Sequence, residues 1–436
     1  MLDRIRSRIE KDRRIVDWVV RESVRDGHQI YTSLGEQEAI RAVMSRRWVL
    51  ELFTTMEGMN ASDQRGHTEL EIVEGERNLE GRIDAAVDQA RLHGIPAYPL
   101  PGPGQIYPDF SDTDPDIRDR PWDTINRLRD ELREGIDREN NVEVASSEFF
   151  IDHTEERLLN SRGLDMAIET DKLTWDICLL YQNGSADTEF WEMKSRPGTQ
   201  YVSVRDDIAR FSGYARDAVH AVVPRSGNCP VVLTGDHLFI LLQYFLHHSS
   251  AAVKYQDAAL FVPGRPVLPE EPRGDALTIF SNALHPGGHR SYRFDHEGSP
   301  GQRIPVIESG ILTRYWATCQ HAHNLAMPVT GEFGNIDIPS GNLSWDDLFH
   351  SSDRVILVIQ FSTFDPQPVA GNYLGEIRVG YEFRADGSVI PLRGGSVTGN
   401  VVEGMMNCRF CRERETFYGY VGPRGIRFEH AQIAGD

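Results

Sequence analysis

The sequence predicts an α/β (α+β) fold in two domains, a mixed α/β N-terminal domain followed by a β-rich C-terminal one. Three observations predict it. A chain of 436 residues is long for one hydrophobic core. Helix-like and strand-like periodicities are interleaved in the first half, whereas strand and turn signals dominate the second. Between them PRSGNCP, residues 224–230, is the stretch most like a linker, which divides the chain into residues 1–224 and 225–436.

Taken in order, MLDRIRSRIEKDRRIVDWVV reads as an amphipathic helix with Ile5, Ile9, Val16 and Val20 on or near one face, and its scattered charges do not suit a signal peptide. RRWVLELFTTMEG has a strand-like middle, and GRIDAAVDQARLHGIPA is a helix stopped by Gly94 and Pro96. YPLPGPGQIYPDF is a Pro/Gly loop. In RPWDTINRLRDELREGID, Pro121 suits the first helical turn, and Ile125, Leu128 and Leu132 form one stripe. From Val142 the pattern alternates, which predicts several short strands separated by turns such as Asn160-Ser161-Arg162-Gly163. SVRDDIARFSGYARDAV is a further helix.

Beyond the linker, GDHLFILLQYFLHHSS is an apolar helix. GQRIPVIESGILTRYW pairs two strand-like runs across Glu308-Ser309-Gly310, and RVILVIQF is a buried strand. GEIRVGYEFRADGSVIPL is a hairpin turning at Asp386-Gly387.

Composition narrows the function. The net charge of −20 argues against nucleic acid and against anionic membranes as partners. Only four of the basic residues are lysines, Lys11, Lys172, Lys194 and Lys254, and the arginines are scattered among acids. Five cysteines, Cys178, Cys229, Cys319, Cys408 and Cys411, are odd in number and widely spread, which suits a reducing cytoplasm better than a disulfide framework. No stretch reaches the roughly 18–20 apolar residues of a membrane span. A cytoplasmic protein is the expectation. Neither a Gly-rich phosphate loop nor a GxSxG elbow is present.

Five stretches occur in order: Asn160-Ser161-Arg162-Gly163-Leu164, Asp295-His296-Glu297-Gly298-Ser299-Pro300 with the VIESGIL that follows, NLSWDDLF, the run PVAGNYLGEIRVGYEFRADGSVIPLRGGSVTGNVVEGM, and the ending GIRFEHAQIAGD. Together they resemble the TldD/PmbA (TldD/TldE) metallopeptidase family. The ending is similar to that of the PmbA/TldE branch. The resemblance implies a C-terminal domain on a large curved antiparallel sheet. It also implies a hetero-oligomer in which a TldD-like chain carries zinc on an HExxxH helix. There two histidines hold the metal, and the glutamate is general base toward its water, whose pKa falls to about 7. An i,i+5 pair lies about 140° apart on an ideal helix, so such a motif needs local distortion.

Laid on this chain, the motif falls on Gln243, Tyr244, Phe245, Leu246, His247 and His248, of which only His248 matches. An amide is a weak ligand, and a phenol with a pKa near 10 is a poor base at neutral pH. The expectation is a chain with no catalytic residue and no cofactor of its own, retained as the TldE/PmbA-like subunit beside a TldD-like HExxxH partner. Zinc is then expected in that partner, and the substrate is a peptide or peptide-like molecule. Departures such as GGHRSYRFDHEG, the paired histidines and CRFC suggest a specialised pair, for instance one acting in peptide or natural-product maturation, with general peptide degradation as the alternative.

Two alternatives stand beside this. One is a self-sufficient hydrolase whose rearranged metal site uses His247, His248, Cys408 and Cys411, and the other is an interaction protein without enzymatic activity. Three weaker candidates read as a solvated strand (His67-Thr68-Glu69-Leu70-Glu71), an acidic lead-in to a helix (Asp112, Asp114, Asp116) and a possible chelate (His321, His323).

Overall fold

A computed structural model describes residues 1–56, 63–184, 187–350 and 352–436. Helix α1 (Leu2–Lys11) buries Ile5 and Ile9, then stops at Asp12, whose extended backbone turns the chain while its carboxylate holds Arg8 and Arg14. The amphipathic pattern expected to continue through Val16 and Val20 is therefore split. These two β-branched residues belong to strand β1 (Ile15–Ser33), where β-branching fits the pleated backbone better than a helix.

Strand β2 (Glu36–Thr54) returns through a two-residue turn at Leu34-Gly35, both with positive φ, the geometry that matches the twist of a tight hairpin. Strand β3 (Gln64–Val73), helix α2 (Leu79–Ala90) and the short β4 (Gly94–Pro96) follow. Then come α3 (Pro115–Asp119) and α4 (Pro121–Ile136). Residues 142–182, expected as several short strands, form two long ones, β5 (Val142–Asn160) and β6 (Asp165–Gln182). The predicted turn at Asn160–Gly163 is the only break between them. Polar positions inside β5 do not end it, because its backbone is paired on both sides, to β1 and to β6.

With β7 (Asp187–Arg196) these strands make a seven-stranded, wholly antiparallel sheet in the order β4-β3-β2-β1-β5-β6-β7. Its helices share one face. At one end α1 and α2 cover Val20, Trp48, Leu50 and Ile72. At the other, α4 and α5 (Val204–Asp217) cover Ile30, Phe149, Trp175 and Phe190. A Cβ on Gly135 of α4 would lie 3.1 Å from Ile208 of α5, so the missing side chain sets their close approach. On the opposite face Val19, Phe53 and Leu158 pack with Tyr98, Phe294 and Cys319, so the later part of the chain covers the other side of the sheet.

From Gly227 onward two further sheets form, each with one parallel pairing. The six-stranded one runs Ile311–Leu312, Arg303–Glu308, Ile279–Asn282, Asn335–Asp337, Tyr420–Pro423 and Arg414–Phe417. The other runs Arg354–Pro366, β8 (Gly227–Thr234), Gly425–Ala434, Ser396–Asn400, Asn372–Arg384 and Val389–Leu392. It closes on itself because Arg354–Pro366 also pairs with Asn372–Arg384. The fold class is mixed α/β with large antiparallel sheets, as the sequence predicts, although the β-rich half divides its strands between two sheets. The expected single helix over residues 235–250 is two, α6 (Gly235–Leu241) and α7 (Gln243–His248), joined at Leu242. Among the described residues no helix is long and apolar enough to cross a membrane.

Candidate functional site

Strand β8 delivers the chain into α6 through Gly235, whose positive φ makes the turn. The motif positions of α7 follow. Gln243 spends its amide N–H on the carbonyl of Phe239. Tyr244 is buried, its ring edge-on to His248 at 4.7 Å and to Phe261 at 5.8 Å. Burial raises its phenol pKa above the ordinary value, away from service as a base.

His248 is 1% exposed. Its Nε2 lies 3.0 Å from the carbonyl of Val369, and its Nδ1 receives the backbone N–H of Leu260 at 3.4 Å. That arrangement selects the neutral ring with the proton on Nε2, and burial keeps its pKa below the ordinary value. The one lone pair a metal would need is turned to Leu260. His247 lies beside it, ring to ring at 4.8 Å.

The two cysteines sit elsewhere in the β framework. Cys408 pairs with Phe428, and its buried thiol contacts the carbonyls of Asp275 and Met405. Burial pushes that thiol pKa up to about 12, the opposite of what a thiolate ligand requires. Cys411 Sγ accepts the N–H of Gly425 and lies 3.2 Å from the carbonyl of Glu413. Among the described residues no three histidines, cysteines or acids gather to hold a metal. The residues present do not fit a zinc site.

The weaker candidates fall apart in space. Asp114 caps α3 through the N–H of Asp116 and also receives the N–H and hydroxyl of Thr199. His321 lies on the short helix Cys319–Asn324 with its ring against Tyr255, and His323 is on the same helix. His67, on β3, lies 3.9 Å from Glu51.

The structure also brings together groups that the sequence had not marked as a site. Asp295 receives the N–H groups of Glu297, Ser299 and Glu332, which fixes the loop of the DHEGSP stretch. Glu297 is buried at the N-terminus of Cys319–Asn324, where it receives the N–H of Cys319 at 2.5 Å. Burial, with Asp295 nearby, pushes its pKa up to about 7. Its neighbour His296 loses charge stability by burial but gains more from Glu332 at 2.6 Å, and its pKa rises to about 9. Tyr98 and Glu51 from the N-terminal part close the cluster. The Tyr107 hydroxyl donates to the carbonyl of Gly298, and together these contacts pin the first sheet to the later part of the chain.

A second seam is a cleft of about 330 Å³ between β7 and α5 on one side and α6 on the other. Two of its lining residues, Lys194 and Arg210, are held by the buried Asp207, Lys194 at 2.6 Å. Glu192 reaches a pKa of about 7, burial outweighing the pull of Lys194. His237 is buried at the start of α6, and its Nδ1 has no hydrogen-bond partner among the described residues.

Residues 226–435 match the PmbA/TldA metallopeptidase C-terminal domain. This part of the chain, just under half of it, is of the TldD/PmbA family. The chain's fold is that of TldE from Thermococcus kodakarensis, with a TM-score of 0.83 and 18% identity over the whole of both chains. A Thermotoga maritima structure described as a modulator of DNA gyrase gives 0.81 and 14%, again over both whole chains.

Curated relatives match over part of their length. An uncharacterized protein of Methanocaldococcus jannaschii is 23% identical over 263 residues, 57% of this chain and 59% of the relative. A metalloprotease of Archaeoglobus fulgidus is 22% identical over 222 residues, 48% and 51%. A metalloprotease TldD homolog of Buchnera aphidicola is 23% identical over 194 residues, 41% and 40%.

Proposed function

We propose that this family member is the non-catalytic, TldE-like subunit of a heteromeric zinc-dependent peptidase or amide hydrolase. Its partner is a TldD-like chain with an intact HExxxH helix, which carries the zinc and sits with this chain in the cytoplasm. This chain completes the chamber and offers backbone edges to an extended peptide or peptide-like substrate. The observation that carries the reading is the state of α7: an aromatic ring where a carboxylate base would stand, and a histidine whose two nitrogens are already engaged by Val369 and Leu260. The rearranged-site alternative would need Cys408 and Cys411 beside these histidines, and their thiols contact other groups.

The reading is tested by hydrolysis of an unstructured peptide, with this chain alone and after co-expression with an HExxxH homologue. An inert chain and an active co-purified pair are expected. Hydrolysis by the isolated chain, or a pair no more active than the homologue alone, would reject it.

A further inference from the structure

In the cleft between β7, α5 and α6 the cations are engaged while several acceptors are not. Lys194 and Arg210 are spent on Asp207, and Arg424 lies over the Trp345 ring at 4.1 Å. Glu192 keeps only a distant pairing with Lys194, at 3.8 Å. Asp236 accepts the backbone N–H of His237 through one oxygen.

Two further lining residues carry a covered acceptor with no donor among the described residues. One is Oε1 of Gln360, whose amide nitrogen is fixed on the carbonyl of Trp191 at 2.7 Å. The other is Nδ1 of the buried His237. Its Nε2 faces the Asp236 carboxylate at 3.7 Å, which favours the proton there and leaves Nδ1 a lone pair. A buried acceptor without a donor costs free energy, so a donor brought into the cleft is favoured there.

The rest of the wall suits a positive charge. The rings of Tyr214 and Tyr418 line the same space, and aromatic faces attract ammonium and guanidinium groups. An anion would instead meet Glu192, Asp236 and Glu415, and would have to draw Lys194 and Arg210 away from Asp207. The net charge of −20 adds a long-range attraction for cations. A volume of about 330 Å³ is at the small end of ligand pockets, room for a compact head group and its stem.

We propose that this cleft binds an organic cation, an ammonium or guanidinium group on an apolar stem, with Glu192 and Asp236 as counter-ions and Gln360 and His237 as acceptors. Free amines and guanidines carry such a group, and so do the lysine and arginine side chains of peptides. The site uses no residue of α7 and does not rest on the subunit role proposed above.

Binding has a pH signature. Glu192 sits with Lys194 on β7, Asp207 and Arg210 on α5, Asp236 on α6 and the phenols of Tyr214 and Tyr418, and it titrates at about 7 because burial outweighs its cations. A bound cation favours the carboxylate, so binding releases a proton and tightens as pH rises. From pH 6 to pH 8 the ionised share of Glu192 grows from about one tenth to about nine tenths, and affinity is expected to grow about tenfold.

Isothermal titration calorimetry of the full chain tests this with two probes, n-butylguanidine and the capped tripeptide Ala-Arg-Ala. Whichever binds more tightly identifies the source, a free cation or a peptide side chain. Their uncharged isosteres, n-butylurea and the capped citrulline tripeptide, are expected to bind about tenfold more weakly or worse. Glu192→Gln is expected to weaken the cation about tenfold at pH 8 and to flatten the pH dependence, and Asp236→Asn to weaken it while a pH dependence remains.

The proposal is overturned if neither cation binds at millimolar concentration, if the ureas bind as tightly, or if the pH dependence survives in Glu192→Gln. Should a variant lose its circular dichroism, the urea comparison and the pH dependence of the parent chain decide alone.

Discussion

At Tyr244 the ring fills space between His248 and Phe261, and no hydrogen bond depends on its hydroxyl among the described contacts. Tyr244→Phe is expected to change stability by less than about 0.5 kcal/mol. Tyr244→Glu would restore the family's carboxylate but bury a charge among aromatic rings, and is expected to cost about 3 kcal/mol or more in denaturant titration.

The His296–Glu332 pair predicts a pH dependence. The His296 pKa is raised in the folded state, so its contribution is full below the ordinary histidine value of about 6.5 and is lost as pH rises through about 9. Glu297 acts differently. Its raised carboxyl pKa means the folded chain holds a proton longer than the unfolded one, so stability falls as pH rises from the ordinary glutamate value of about 4.3 to about 7. Urea midpoints against pH should lose the upper decline in His296→Gln and the lower one in Glu297→Gln. Unchanged slopes would refute the assignment.

The identities at 243 and 244 could be read directly from the sequence, and the expectation that α7 lacks ligand and base rests on them. The engagement of His248 could not, since Val369 lies 121 residues away. Nor could the cluster around Glu297, whose members range from Glu51 to Glu332.

Among the elements, α4 and α5 could be read closely because their apolar stripes and opening residues, Pro121 and Ser203, are local signals. The long strands were harder. Their length depends on pairing with distant neighbours, and a polar residue inside a paired strand looks locally like a turn. Likewise nothing local predicted that Leu34 would take a positive φ, since leucine seldom does.

The turn at Gly371 gives an element-scale test. Its φ is +75°, and an added Cβ would approach Val401 at 3.1 Å and Tyr244 at 3.2 Å. This turn carries Val369 onto His248. Gly371→Ala is expected to destabilise the fold by about 1–3 kcal/mol and to loosen that contact, seen as faster exchange of the His248 ring proton.

Over the whole molecule, the seams between the first sheet and the later sheets rest on named contacts. Arg196 donates to the carbonyl of Thr416, Tyr381 to Asp217, and Gln360 to the carbonyl of Trp191. Such a framework can hold the shape shared with the matched structures whatever side chains α7 carries. On the proposed reading this chain holds no catalytic zinc. The most direct test is zinc content per chain, measured on the isolated protein after equilibration with zinc and removal of excess metal. Far less than one zinc per chain is expected, with no change in His248→Ala. One zinc per chain, lost on substituting His248 or Cys408, would contradict it.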